Sequence, residues 1–262
     1  MTYDYIDIHS HLYFPDFDYD REDVISKMKK EKIAAITVGV DFDSSDRAIQ
    51  LAEKHQNLFA TVGQHPGDVM SKTVFDIRLA GLASKLKVIA IGECGLDYFR
   101  EAAEDLKLRE VQKVIFQKHI NLALQKGLPL MLHIRPSKGS QDAYLDALQI
   151  LEGKNTRGNV HFFAGDLNVL KRFLDIGFFV SFTGVITFIR DYDELVKYVP
   201  RDRIMSETDS PLVAPLPYRG KRNSPLYVPE VVKKIACIRG EDVETVEDEL
   251  LANARNMFNI NI

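Results

Sequence analysis

At 262 residues, with 45% hydrophobic and 27% charged side chains, the chain has a globular composition with ample material for a core. Its formal net charge of -4 creates no global field to draw it onto nucleic acid or a membrane, so any polyanion must be held locally or through bound cations. Two distant cysteines, Cys94 and Cys237, exclude a disulfide scaffold, and no apolar run approaches the roughly 18 residues that cross a bilayer.

The opening MTYDYIDIHS is acidic and lacks the basic-then-apolar order of a signal peptide, so we expect a cytoplasmic protein with no membrane partner. YIDIH is the first strand-like run. DREDVISKMKKEK follows, with acids at its start and lysines at its end, as a helix dipole favours. IAAITVGV is the next strand. DSSDRAIQLAEKH then places Ala48, Leu51, Ala52 and His55 at helical spacing behind Asp and Ser capping candidates. LFATVG, KVIAIG, LPLMLH, NVHFF, GFFVSFTG and RIMSE continue the strand series. Between KVIAIG and LPLMLH a helix is expected from Asp105 to Lys126, ended by Gly127. Near the end Pro229 and Gly240 bracket EVVKKIACIR, and a last helix runs through VEDELLANARNMF.

Eight strand candidates, mostly separated by helices and nearly continuous in apolar character, read as a parallel sheet covered on both faces. Nothing in the composition marks a domain boundary, so residues 1–262 are expected to form one (β/α)8 TIM barrel of the α/β class, with a doubly wound open sheet as the alternative. Such barrels carry their chemistry at the C-terminal ends of the strands.

Those ends concentrate the unusual residues: His9 and His11, His65, Glu93, His133, His161 and Asp209. On strand one Asp7, His9 and His11 share a face, the two imidazoles about 6.6 Å apart along the chain. Each residue alone has an ordinary explanation as a strand-end histidine, a loop acid or a turn cap. Together, four histidines and two carboxylates around one barrel mouth suffice to hold two metal ions, with a carboxylate such as Glu93 able to bridge them. The remaining histidines, His55 and His119, fall on helices and read as surface or helix-packing residues.

With these residues in hand, the chain resembles the TatD family of metal-dependent deoxyribonucleases, within the amidohydrolase-like barrels. The motifs carrying the likeness are DIHSHL, VGQHP, IGECGLDYFR, LMLHIR, NVHFFAG, FVSFTGVITF and the long run VPRDRIMSETDSPLVAPLPYRGKRNSPLYVPEV, which together span essentially the whole chain. Departures are Phe162 where the family commonly has cysteine, Gln64 where an aliphatic residue is usual, Ile189 where lysine often stands, and the continuation HIRPSKGS. All lie beside the mouth and bear on substrate preference; none removes a ligand. The resemblance implies one ion held by His9, His11, Glu93 and Asp209, and a second by Glu93, His133 and His161. Asp7 and Glu207 are expected to orient ligands or to serve as polar interior packing. His65 and Arg135 are expected to contact substrate phosphate, Arg135 having a structural ion pair as its alternative.

Two adjacent ions suit phosphodiester hydrolysis, so the expected activity is a two-metal deoxyribonuclease, exonucleolytic in action, with Glu93 and Asp209 catalytic and Asp209 as general base. The mixed ligand set suits Zn, Mn or Co, and Mg less readily. DNA is the expected partner, and no obligate protein partner is implied. Two other readings stand beside this one: an amidohydrolase-like hydrolase of a small amide, lactone or phosphoester, and a non-catalytic nucleic-acid-binding protein. A bridging Glu93 in place of a modified lysine speaks against the first, and the negative net charge against the second. In the loop after Asp209, Arg219, Lys221 and Arg222 cluster near Tyr218 and are expected to bind flanking phosphates, while an aromatic ring stacks on a base.

Overall fold

The computed structural model describes residues 2–67, 74–99 and 105–261. Eight strands form one sheet, hydrogen-bonded in chain order with every neighbouring pair parallel. They are β1 (Tyr5–Ser10), β2 (Ile33–Val38), β3 (Leu58–Val62), β4 (Val88–Asp97), β5 (Leu130–Arg135), β6 (Gly158–Val160), β7 (Phe179–Phe182) and β8 (Ile204–Ser206). The helices between and after them are α1 (Arg21–Lys30), α2 (Phe42–Lys54), α3 (Leu79–Leu82), α4 (Leu106–Lys126), α5 (Asp142–Leu151), α6 (Leu167–Asp175), α7 (Asp193–Tyr198), α8 (Val228–Arg239) and α9 (Val243–Phe258).

The first and last strands meet at the mouth. Ser10 bridges Ser210 in parallel, Asp209 N–H donates to His9 C=O at 2.8 Å, and His11 N–H donates to Ser210 C=O at 2.8 Å. The sheet is therefore a nearly closed barrel and not an open doubly wound one. All eight expected strands are present, because their apolar runs are buried on both faces; every residue of β2 is buried. Helix ends also follow the local chemistry. Asp105 accepts from Lys107 N and Leu108 N to start α4, and Gly127, at φ 67°, ends it in the left-handed region. Gly240 does the same for α8 at φ 66°.

Two details differ from the sequence reading, and a third, at His119, settles it in favour of packing. Strand β4 runs on past IAIG to Asp97, carrying Glu93 mid-strand and Asp97 to the rim. His55 is the half-buried residue capping α2 and not a helical one, with Nε2 3.4 Å from Glu22. His119 is fully buried: its Nδ1–H donates to Ile115 C=O, and Nε2 accepts the backbone N–H of Gln64 at 3.0 Å, tying α4 to the end of β3. Arg100, the last residue of the IGECGLDYFR motif, lies outside the described residues. Among the described residues no helix is long and apolar enough to cross a membrane.

Candidate metal centre

The β1–β8 junction builds the first part of the site. Asp7 and His9 lie two apart on β1 and His11 follows one residue past its end, and the backbone bonds between His9, His11 and the segment after β8 bring Asp209 alongside. Asp7 secures that segment: its carboxylate accepts the Thr208 N–H at 2.8 Å and the Thr208 hydroxyl at 2.5 Å. Asp7 thus positions the residue before Asp209, and it meets His9 at the backbone N–H and not at the ring.

Glu93 reaches the same space from β4. The close approach of β4 to β5 depends on Gly95, at φ 141°, where a Cβ would stand 2.1 Å from His133 C=O. The two carboxylate oxygens of Glu93 face different partners. Oε2 lies 3.4 Å from His9 Nε2 and 3.8 Å from His11 Nε2, and Asp209 Oδ1 lies 3.8 and 3.6 Å from those same nitrogens. Oε1 lies 2.9 Å from His133 Nδ1 and 3.0 Å from His161 Nε2, which are 3.3 Å from each other. Donors about 2.1 Å from a shared ion stand about 3.0–3.4 Å apart at octahedral to tetrahedral angles, so both sets suit an ion with little adjustment.

The ring nitrogens turned away from this space are anchored by different means. His11 Nδ1–H donates to Val38 C=O at 2.8 Å, which leaves Nε2 as the free donor. His133 Nε2 meets Asp97 Oδ2 at 3.2 Å, which leaves Nδ1 free. His9 and His161 stack with centroids 3.8 Å apart and planes at 17°. Behind them Glu207, fully buried, places Oε2 3.9 Å from His9 Nδ1 and Oε1 3.7 Å from His161 Nδ1. Glu93 in front and Glu207 behind therefore sandwich the two stacked imidazoles. Both ring nitrogens of His9 are buried without a hydrogen-bond partner, an arrangement that costs free energy unless an ion takes the electron pair.

The electrostatics agree. Burial alone would raise the Glu93 carboxyl, but His161, His65 and His9 and the hydrogen bond with His133 hold it well below the usual range, so it stays ionised. Burial opposes ionisation of Asp209 too, and the bond with His11 and the charges of His9 and His161 overcome it. Burial would likewise raise Asp97, and His133 more than offsets it, holding the carboxyl down to about 2. Asp97 was not among the residues singled out from sequence. Its signal is the period of two along Glu93, Gly95 and Asp97, which becomes informative only once β4 is known to continue that far.

A cavity of about 600 Å³ opens over these groups, lined by His11, Glu93, His133, His161 and Asp209 together with apolar and aromatic side chains such as Phe14, Phe162, Tyr192 and Leu212. His65 sits at its edge. Its Nδ1 accepts the Gly67 N–H at 3.0 Å, its Nε2 points to Glu93 Oε1 at 3.5 Å, and burial, reinforced by His133, pushes its pKa down to about 3. A neutral ring with Nδ1 as acceptor offers an Nε2–H donor into the site. His65, Glu93 and His133 also bring donor atoms close enough to form a third ligand group, alongside His9/Glu93/His161 and His9/His11/Asp209. Arg135 lines the cavity, its guanidinium 3.9 Å over the Phe99 ring.

The basic loop resolves into unlike members. Arg222 is committed to the protein itself: it makes a two-pronged pair with Asp20 at 2.6 and 2.8 Å and lies 4.4 Å over Phe17. Arg222, expected with Arg219 and Lys221 to meet phosphate, therefore already shares its charge with Asp20. Arg219 and Lys221 are exposed, Arg219 resting 4.1 Å over Phe188. Tyr218 is stacked face to face on Tyr227 at 3.7 Å, so one of its faces is already covered.

Against known proteins, the family model described as TatD related DNase matches residues 6–259. The chain is 36% identical to the uncharacterized metal-dependent hydrolase YabD of Bacillus subtilis, over 97% of this chain and 99% of that protein. It is 28% identical to the 3′-5′ ssDNA/RNA exonuclease TatD of Klebsiella pneumoniae, over 98% of each. Among solved structures it superimposes on YJJV, a TatD homologue from Escherichia coli, with TM-score 0.86, 26% identity and complete coverage of both chains. A nearly closed barrel with a buried His/Glu/Asp cluster at its mouth, matched over almost its full length by one family model, makes this chain a member of the TatD family of metal-dependent hydrolases.

Proposed function

We propose that the protein is a two-metal phosphodiesterase that removes nucleotides from an end of DNA. The observation that carries this reading is the division of Glu93 between two ligand sets, Oε2 toward His9, His11 and Asp209 and Oε1 toward His133 and His161. Two divalent ions bound there would polarise the phosphoryl oxygen, acidify the attacking water and stabilise the leaving oxygen. Asp209 holds its proton-accepting carboxylate at the cavity wall and takes the proton of the attacking water. His65 donates from Nε2 to a phosphate oxygen. Arg135, Arg219 and Lys221 meet phosphates that the ions do not reach. The family match and the exonuclease named among the relatives support a nucleic acid as substrate.

The test is hydrolysis of single-stranded oligodeoxynucleotides by metal-loaded protein with and without a chelator. Mononucleotide release that stops on chelation and returns with Mn, Zn, Co or Mg supports the proposal. A protein verified to carry two ions per chain that cleaves no DNA refutes it and returns the small-ester or amide readings.

A further inference from the structure

The backbone at the cavity mouth is strained in a way the metal centre accounts for only in part. Among the described residues five non-glycine residues have φ in the left-handed region: Lys32, Phe162, Asp209, Val213 and Asn259. Lys32 and Asn259 lie at the ends of α1 and α9, where that conformation commonly stops a helix. The other three line the cavity. Asp209 is a candidate ligand, which gives its conformation a purpose. Phe162, at φ 45°, is not, and for a bulky aromatic residue this region is an outlier that persists only where the surroundings enforce it.

The enforcing group is Glu207. Its Oε1 accepts the Phe162 N–H at 2.5 Å while its carboxylate backs His9 and His161. So placed, the Phe162 ring packs against the core on one side and lines the cavity on the other. It meets His161 only edge-on, with centroids 6.5 Å apart and planes at 76°. Other phenylalanines near the mouth have a covered face. Phe14 lies parallel to His11 at 4.7 Å, Phe99 carries Arg135 at 3.9 Å, and Phe188 carries Arg219 at 4.1 Å. Among the described residues no cation or parallel ring lies over Phe162.

We propose that Phe162 is the platform on which the base of the terminal nucleotide stacks. This rests on the nuclease reading above and deepens it. A nucleotide whose phosphate sat at the two ligand sets would have Phe162 and Arg135 in the wall of the same cavity. An aromatic face takes any base, so the platform selects for a base-bearing chain end and not for sequence.

Paired oligodeoxynucleotides, identical except that the terminal residue at one end or the other is a normal nucleotide or an abasic tetrahydrofuran, test it through the ratio of kcat/KM values. Wild-type protein should favour the base-bearing terminus by about tenfold at the end it attacks. Phe162→Leu should bring that ratio close to unity with metal content unchanged, and Phe162→Tyr, which keeps the ring, should retain it. A ratio preserved in Phe162→Leu overturns the platform alone and leaves the nuclease standing. Cleavage of neither oligonucleotide by metal-loaded wild type removes the nuclease reading and the platform with it.

Discussion

The two ligand sets that share Glu93 are built on opposite principles. On the β1–β8 side, His11 is anchored by a neutral backbone carbonyl, and the set carries its own carboxylate, Asp209, facing the same space as the imidazoles. On the β5–β6 side, among the described residues, negative charge beyond Glu93 stands behind the rings, Asp97 against His133 and Glu207 against His161. An acid facing an ion lowers the ion's effective charge and can also take a proton, whereas an acid behind an imidazole makes that imidazole a stronger donor. On the proposed function the comparison assigns proton transfer to the Asp209 side and imidazole tuning to the Asp97 side, while Glu93 and Glu207 each touch both sets, Glu207 standing behind His9 as well as His161.

The heaviest blow to that arrangement is Glu93→Gln, which removes the charge common to both sides. We expect metal content to collapse and turnover to fall by about 10⁴-fold or more, as for machinery that acts as a unit; a variant retaining both ions in elemental analysis would break the idea of a shared bridge. Asp209→Asn comes next. It should keep the fold and reduce turnover by about 10²- to 10³-fold, since the amide cannot accept the proton. Turnover within a few-fold of wild type, with metal content verified, would remove Asp209 as base.

Asp97→Asn sharpens the contrast. Losing the acid behind His133 should weaken one of the two ions by about 10- to 100-fold in a chelator competition and leave the other unchanged. Equal weakening of both would show that the two sides are not independently tuned. The smallest effect is expected far from the ions. Replacing Arg219 and Lys221 together by alanine should flatten the salt dependence of oligonucleotide binding by about 0.7 in log–log slope for each phosphate left without its cation. An unchanged slope would make both residues plain surface cations. Arg222 is left out of that variant because its pair with Asp20 links the loop to the segment before α1.

Much of this was legible in advance, for identifiable reasons. The strands could be read because each is buried on both faces and so appears as an apolar run, and α4 because Asp105 and Gly127 are local start and stop signals acting within a few residues. The histidines of the centre could be read because a barrel gathers its strand ends, so residues distant in sequence but alike in strand position must converge. Arg222 could not. In sequence it belongs to a run of three cations, and only the folded chain brings it against Asp20, about two hundred residues away.

By itself the sequence determined the strand runs, their order and which histidines and acids fall at strand ends, since these follow from hydrophobic pattern, capping and residue type. Tertiary structure alone decided which oxygen of Glu93 faces which histidines, that Asp97 and Glu207 stand behind the rings, and that Phe162 lines the mouth. The reason is physical. Hydrophobic pattern specifies which face of a strand is buried, but the direction of a buried polar group is set by partners on other strands, through hydrogen bonds that weaken steeply with distance and angle and that no local pattern encodes.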